Sequence, residues 1–322
     1  MKRIFVYETL SAGGQVAEDG AEIGGDGLFA AGLAMRDAIV ADLLLLDDYQ
    51  ASVATCSRAT PVPAPARPIE PHEGESAIDF VARQSDAHHL VWVVAPETDG
   101  MLARLHRCVD PGRWLGCDGP AIALASAKRS TLLHLAEAGI ATPLAFEHAR
   151  ETVRRVVKPD DGAGALATRL HADREAACAD WSQRSRAGQP MTIEPWVDGE
   201  ALSLSLLCRA GCTELLSINR QQIVIDAEGW LSYEGVEVNA LRLAGSRGAT
   251  LKALATRLGR AIPGLRGFVG IDLVWHAQRG PVVNEVNPRA TCAYVGLSHA
   301  LGRNLAAEVI AAHRQGATDD KL

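Results

Sequence analysis

Three oxygen-bearing side chains near the end of the chain, Asp272, Glu285 and Asn287, stand in the segments 267–275 and 281–289. Both segments are short β-type runs, and the polar stretch 276–280 between them reads as the turn of a hairpin. Side chains alternate along a strand, so Asp272 shares a face with Gly270 and Val274, and Glu285 shares one with Val283 and Asn287. Pairing of the two strands then gathers all three oxygen donors. Such a set on rigid neighbouring strands suits a hard divalent cation that takes its remaining ligands from water and substrate phosphates. The expectation is phosphoryl chemistry, which needs cationic groups elsewhere in the chain.

Two lysines meet that need. Lys128 falls in the first turn of a helix expected over 126–139, with Ser126 as its cap, Leu132, Leu135 and Ala136 on its apolar face and Gly139 at its end. A lysine there opposes the macrodipole, so a bound anion gains from both. Lys158 ends a strand over 154–158, and the glycine loop that follows, with Gly162 and Gly164, can fold over phosphates. Gly162, Gly164 and Ala167 also satisfy G-x-G-x-x-A. In a dinucleotide fold, however, the glycines directly follow the first strand, whereas here Pro159, Asp160 and Asp161 intervene in mid-chain, which argues against a nicotinamide cofactor. The segment 194–200, with Glu194, Trp196, Val197 and Glu200, reads as a linker between lobes where a flat base can lie against apolar side chains.

The elements that position these groups alternate in the manner of a parallel α/β sheet over the first part of the chain. Strands are expected at 3–7, 41–46 and 90–95, with helices at 28–39 and 78–84 and an extended proline-rich loop at 61–68. Ligands of such sheets sit beyond the carboxyl ends of the strands, which makes Glu8, Gly13, Gly14 and Glu97 candidate substrate residues. Further on, helices are expected at 171–187, 246–262 and 297–313, and strands at 191–194, 202–206 and 215–225. The strictly alternating 202–206 reads as half-buried. Asn219 and Arg220 sit in the polar middle of 215–225, which is costly unless they face a polar site. Residues from 315 on read as a frayed tail.

At 322 residues the chain exceeds a single ordinary core, and its net charge of −7 without a basic block argues against a nucleic-acid backbone as partner. Seven cysteines without a CxxC pair read as reduced thiols. No apolar run is long enough for a membrane span, so a soluble, cytoplasmic protein is expected.

Taken together, Lys128, Lys158 with its glycine loop, the Glu194 linker and Asp272/Glu285/Asn287 resemble the ATP-grasp superfamily in order and spacing over nearly the whole chain, most specifically at Asn284–Arg289. The resemblance implies an α/β fold, α+β in its C-terminal part. A Rossmann-like parallel-sheet domain (1–122) would precede two α+β lobes that sandwich ATP, a lid lobe (123–190) and a metal-binding lobe (191–315), with a tail at 316–322. It implies that Lys128 and Lys158 hold the α- and β-phosphates under the loop with Gly162 and Gly164, and that residues 194–197 hold adenine. The metal ligands would be Asp272, Glu285 and Asn287, holding Mg2+ or Mn2+. Arg289 and Arg220 would stabilise charge on the transferred phosphoryl or the tetrahedral intermediate. The position of the usual ribose acid holds Ala201, so Glu200 or Asp198 must substitute. Segments 5–14 and 92–98 look like tyramine–glutamate ligases of methanofuran biosynthesis. That likeness implies ATP-dependent joining of glutamate to tyramine or tyrosine through an acyl phosphate, with ADP and phosphate released. A ligase for other amino acids, such as a dipeptide or pyrrolysine-precursor ligase, or a silent ATP-binding regulator are the alternatives. Partners are small molecules, with a homodimer common among such ligases.

Overall fold

The computed structural model describes residues 1–14, 25–148, 153–162 and 164–319, so Ala163 of the glycine loop and residues 320–322 of the expected tail lie outside the described residues. The first sheet is parallel, in the order β3-β2-β1-β4, from β1 (Lys2–Glu8), β2 (Tyr49–Ala54), β3 (Arg67–Ile69) and β4 (Leu90–Val94). Helices α1 (Gly25–Leu44), α2 (Ala77–Ala87), α3 (Met101–Arg107) and α4 (Gly119–Ala125) belong to the same part of the chain. Alternate residues of β1 enter two cores: Ile4 and Val6 join Ile39 and Leu43 of α1, whereas Phe5 and Tyr7 join Phe80 of α2. Burial on both faces explains the near-continuous apolar run of this strand.

Of the strand expected at 41–46, residues 41–44 are instead the end of α1, and Leu45 and Leu46 follow it outside any strand. Met35, Ile39, Val40 and Leu43 are buried at helical spacing, and that period carries the leucine run with it. Part of the proline-rich stretch also pairs, since β3 includes Pro68, but it does so at the sheet edge, where a missing N–H is tolerated.

Helix α5 (Lys128–Glu137) leads to a three-stranded antiparallel sheet, β6-β5-β7, of β5 (Arg155–Pro159), β6 (Arg169–His171) and β7 (Met191–Pro195), accompanied by α6 (Arg174–Arg186). The third sheet runs β10-β9-β8-β11-β12, from β8 (Glu200–Arg209), β9 (Cys212–Ile225), β10 (Leu231–Leu241), β11 (Gly267–His276) and β12 (Gly280–Asn287). On one face α7 (Ser246–Ala261) sets Leu251, Leu254 and Leu258 into a core with Leu202, Leu204, Ile271 and Leu273. Elsewhere Leu207 and Phe268 share a core with Leu305 and Val309 of α9 (Leu305–Asp319).

β8 is therefore covered on both faces rather than half-buried, because Ser203 and Ser205 are buried and both accept from the Asn219 amide. The single last helix expected over 297–313 is broken at Gly302 into α8 (Leu297–Leu301) and α9, and α9 continues to Asp319, through residues expected to fray. The fold is thus mixed α/β, parallel first and antiparallel afterwards. No helix among the described residues is long and apolar enough to cross a membrane, and all seven cysteines are free thiols.

Candidate active site

Across the third sheet the pairing aligns Asn219, Ser203, Asp272 and Glu285 in one row, with Asn287 opposite Gly270 in the next. Directly paired residues point to the same face, so register alone gathers Asp272, Glu285 and Asn287. A β-bulge intervenes: Asp272 pairs with Glu285 but Leu273 pairs with Val283, which leaves Asn284 as the extra residue. Val283 consequently shares the core face with Leu273, and not the face of Glu285 as simple alternation suggests. Gly270 has a steric reason to be glycine, because a Cβ there would lie 2.6 Å from Thr291 Cγ2, where the chain after β12 folds back.

Asp272 accepts from Gln221 Nε2 at 2.9 Å and from Asn287 Nδ2 at 3.1 Å. Burial pushes its carboxyl up to about 7, and the Glu285 carboxylate adds to the shift against those bonds and Arg289. Two crowded carboxylates beside an amide oxygen make a site that a cation would relieve. No group of three histidine, cysteine or acidic side chains among the described residues has metal-site geometry; the third oxygen-bearing side chain beside the two carboxylates is the Asn287 amide.

Both lysines arrive at this face. Lys128 Nζ lies 3.1 Å from Glu285 and also donates to the Gly162 carbonyl, which draws the glycine loop over the sheet. Lys158 Nζ lies 2.5 Å from Glu194. Burial works against the Lys158 charge, yet Glu194, Glu285 and Asp272 outweigh it and hold its pKa above the ordinary value. Ser126 does not cap α5, because its hydroxyl donates to Ile122 at the end of α4. The first-turn N–H groups of Lys128 and Arg129 go instead to the Asp160 carbonyl and carboxylate, both at 2.9 Å. The loop after β5 thus caps the helix that carries the first lysine.

After β7, Val197 is buried with Phe146 and Val282, and Val274 packs against them, which makes a small apolar cluster. Glu194 is 3 % exposed, and its Oε2 has no hydrogen-bond partner among the described residues. Trp196 donates through Nε1 to Asp198 at 3.0 Å, with Arg154 over its ring.

The first sheet contributes from beyond its strand ends. Glu97, after β4, grips Arg289 in a bidentate pair at 2.9 and 2.8 Å, with Glu97 buried and Arg289 largely so. Burial opposes the Arg289 charge, but Glu97 stabilises it. Glu8 ends β1 and accepts from Leu10 N and Ser11 N at 3.1 and 2.7 Å; burial nevertheless raises its pKa. Gly13 and Gly14 complete that turn through bonds to Leu10 and Thr9.

Two sequence candidates lie elsewhere, and a third is on this face but engaged. Arg220 pairs with Leu202 and shares the α7-facing side, where it meets Glu200 at 3.1 Å and Glu237 at 2.7 Å. Glu200 also meets Arg247 of α7 at 2.7 Å, so alternation turns both Arg220 and Glu200 away from Asp272. Asn219 is on the right face but fully engaged, by Ser203, Ser205, Ser217 and the Asn239 N–H. Gln221, Asp160, Phe146 and Tyr233 also border these groups without being among the sequence candidates; the Tyr233 hydroxyl pKa is raised by burial and by nearby Cys292 and Asp272. Gln221 had a usable signal, since it stands two residues from Asn219 in the same polar stretch; β10, which carries Tyr233, had none.

A family model described as an ATP-grasp domain matches residues 125–293, just over half of the chain, and one described as a pre ATP-grasp 3 domain matches 49–122. No curated protein matches the sequence. Among solved structures, D-alanine–D-alanine ligase from Bacillus anthracis aligns with TM-score 0.67 and 14 % identity over 99 % of this chain and 100 % of that one. L-amino acid ligase from Bacillus licheniformis aligns with TM-score 0.65 and 17 % identity over 97 % of this chain and 74 % of that one. An ATP-grasp superfamily protein from Archaeoglobus fulgidus gives TM-score 0.67 and 18 % identity, covering 97 % and 88 %. At these identities the likeness is one of fold.

Proposed function

The chain belongs to the ATP-grasp family, and from that premise we propose that it is an ATP-dependent ligase that joins the carboxylate of glutamate to tyramine or tyrosine through an acyl phosphate. The observation that carries the chemistry is the convergence of Lys128 and Lys158 on the face that holds Asp272, Glu285 and Asn287. The choice of substrates rests on the likeness of segments 5–14 and 92–98 to tyramine–glutamate ligases of methanofuran biosynthesis. In this reading the chain divides at 122, 190 and 315 into substrate domain, lid lobe, metal lobe and tail.

The raised Asp272 carboxyl beside Glu285 fits a divalent cation, Mg2+ or Mn2+, with Asn287 as third protein donor. When bound, such an ion supplies charge neutralisation between the phosphates. Lys128 and Lys158 exchange their carboxylate partners for phosphate oxygens, and Gly162 and Gly164 bring backbone over them. Glu194, through its open Oε2, accepts from the adenine amino group, with Val197 and Trp196 beside the ring. The glutamate carboxylate then attacks the γ-phosphorus and ADP leaves; the amine attacks the resulting acyl carbon and phosphate leaves. Arg289, fixed by Glu97, faces the charge that builds on the acyl oxygen in the second step. Glu8, Gly13 and Gly14 border the substrate.

The test is phosphate release from ATP with Mg2+ or Mn2+ across a matrix of amino acids and aromatic amines. Release is expected only when both a carboxylate and an amine are present, and most with glutamate and tyramine. Release that favours another pair moves the substrate assignment to a ligase for other amino acids, and no release with any pair favours a silent regulator.

A further inference from the structure

The hairpin of β9 and β10 reaches beyond its own sheet and touches the lid. Residues 226–230 form a tight tip: Asp226 N donates to Trp230 O at 3.0 Å, and the Asp226 carboxylate accepts from Glu228 N and Trp230 N at 3.0 and 2.8 Å. That tip docks against β6. Leu170 N donates to Gly229 O at 2.8 Å, Leu231 N donates to Thr168 O at 2.9 Å, and Arg169 pairs with Trp230 in an isolated antiparallel bridge. Arg169 Nε donates to Glu228 O at 2.9 Å. The Trp230 ring centre lies 5.0 Å from the Arg169 guanidinium carbon and 5.7 Å from that of Arg184. Gly229 has φ +87°, and a Cβ there would stand 2.3 Å from the Leu170 carbonyl oxygen, so the approach admits only glycine.

The place of this contact gives it a role. β6 is a three-residue strand paired with only one neighbour in its own sheet, and it receives the chain directly from the glycine loop. The start of that loop is tied to α5 through Asp160 and to the turn that follows β4 through Asp99 N and Asp161 Oδ2 at 2.9 Å. Its end, at Ala167 and Thr168, is held by Arg184 and by the hairpin tip. We propose that Gly229 and Trp230 are positioning residues, a clasp by which the metal-bearing sheet fixes the far end of the phosphate loop. The proposal rests on the ligase reading for what the loop covers, but the contact itself can be tested without it. Trp230 is 39 % exposed, so the clasp can release without unfolding a core.

The experiment compares wild type with Trp230→Ala, Gly229→Ala and Trp230→Phe in the full chain. Hydrogen exchange at the Leu170 amide is followed without nucleotide, and dissociation of a fluorescent N-methylanthraniloyl ATP with Mg2+ by stopped flow. Trp230→Ala and Gly229→Ala are expected to speed both exchange and nucleotide loss about tenfold, with the midpoint of thermal unfolding nearly unchanged, and Trp230→Phe to restore wild-type values. Unchanged exchange at Leu170 in Trp230→Ala would overturn the clasp. Faster exchange with unchanged nucleotide dissociation would overturn its positioning role. Should wild type bind no nucleotide, the ligase reading fails while the exchange comparison still decides whether the tip holds β6.

Discussion

The parallel first sheet and the antiparallel third sheet both bring acidic side chains to one place, and they do so by different means. In the third sheet Asp272, Glu285 and Asn287 stand on the strands themselves, and their relation is set by backbone pairing. In the first sheet Glu8 and Glu97 stand at or beyond strand ends, and their positions depend on local turns and on a partner from a distant segment, Arg289. A register-borne site is a property of the ladder, so a side chain can be removed without moving its neighbours. A turn-borne site is held by the very groups that form it, so removing one loosens the rest.

The contrast can be broken by single substitutions. The largest effect is expected for Glu285→Ala, which should lower phosphate release roughly a thousandfold while circular dichroism and unfolding midpoint stay near wild type. Robust turnover by that variant would remove the metal assignment. A smaller and mixed effect is expected for Glu97→Gln. Loss of the bidentate carboxylate leaves Arg289 buried with a neutral partner, which should cost about 2–3 kcal/mol of stability in denaturant titration. It should also raise KM for the acid substrate about tenfold with KM for ATP unmoved. A change in ATP affinity instead would show that Glu97 acts on the third sheet and not on substrate.

The smallest effect is a pH dependence at Glu8. Its folded pKa is raised, so the folded state holds the proton more tightly than the unfolded chain. The contribution of this group to stability is therefore greatest below the unfolded value and is lost as pH rises through the folded one. Glu8→Gln should remove that loss, so the difference in unfolding midpoint, variant minus wild type, should grow from pH 4 to pH 8. A difference that stays constant with pH would show the carboxyl to be ionised freely.

The same contrast explains what could be read from the chain. Asp272, Glu285 and Asn287 were legible because strand alternation is a rule of period two, and even the bulge at Asn284 preserved their common face. Alternation applied with equal care to β9 separates Arg220 from Asn219 and Gln221, which the polar character of the stretch concealed. Lys128 was found for its place in the first turn of α5, but the cap of that helix was not, since Asp160 reaches it from a different element. The pairing of Glu97 with Arg289 spans most of the chain, and nothing local in either segment announces it. The run at 41–46 misled because leucines fit a buried strand and a buried helix end alike.

Each lysine of the candidate site already has a carboxylate partner, Lys128 with Glu285 and Lys158 with Glu194. An anion that takes Lys128 sets Glu285 free for a cation, and a cation that takes Glu285 sets Lys128 free for an anion. Binding of both there would be an exchange of partners, in which each of two oppositely charged ligands uncovers the other's place. By linkage their affinities must rise together and by the same factor. The Lys128–Glu285 contact therefore acts as an internal competitor to either ligand arriving alone.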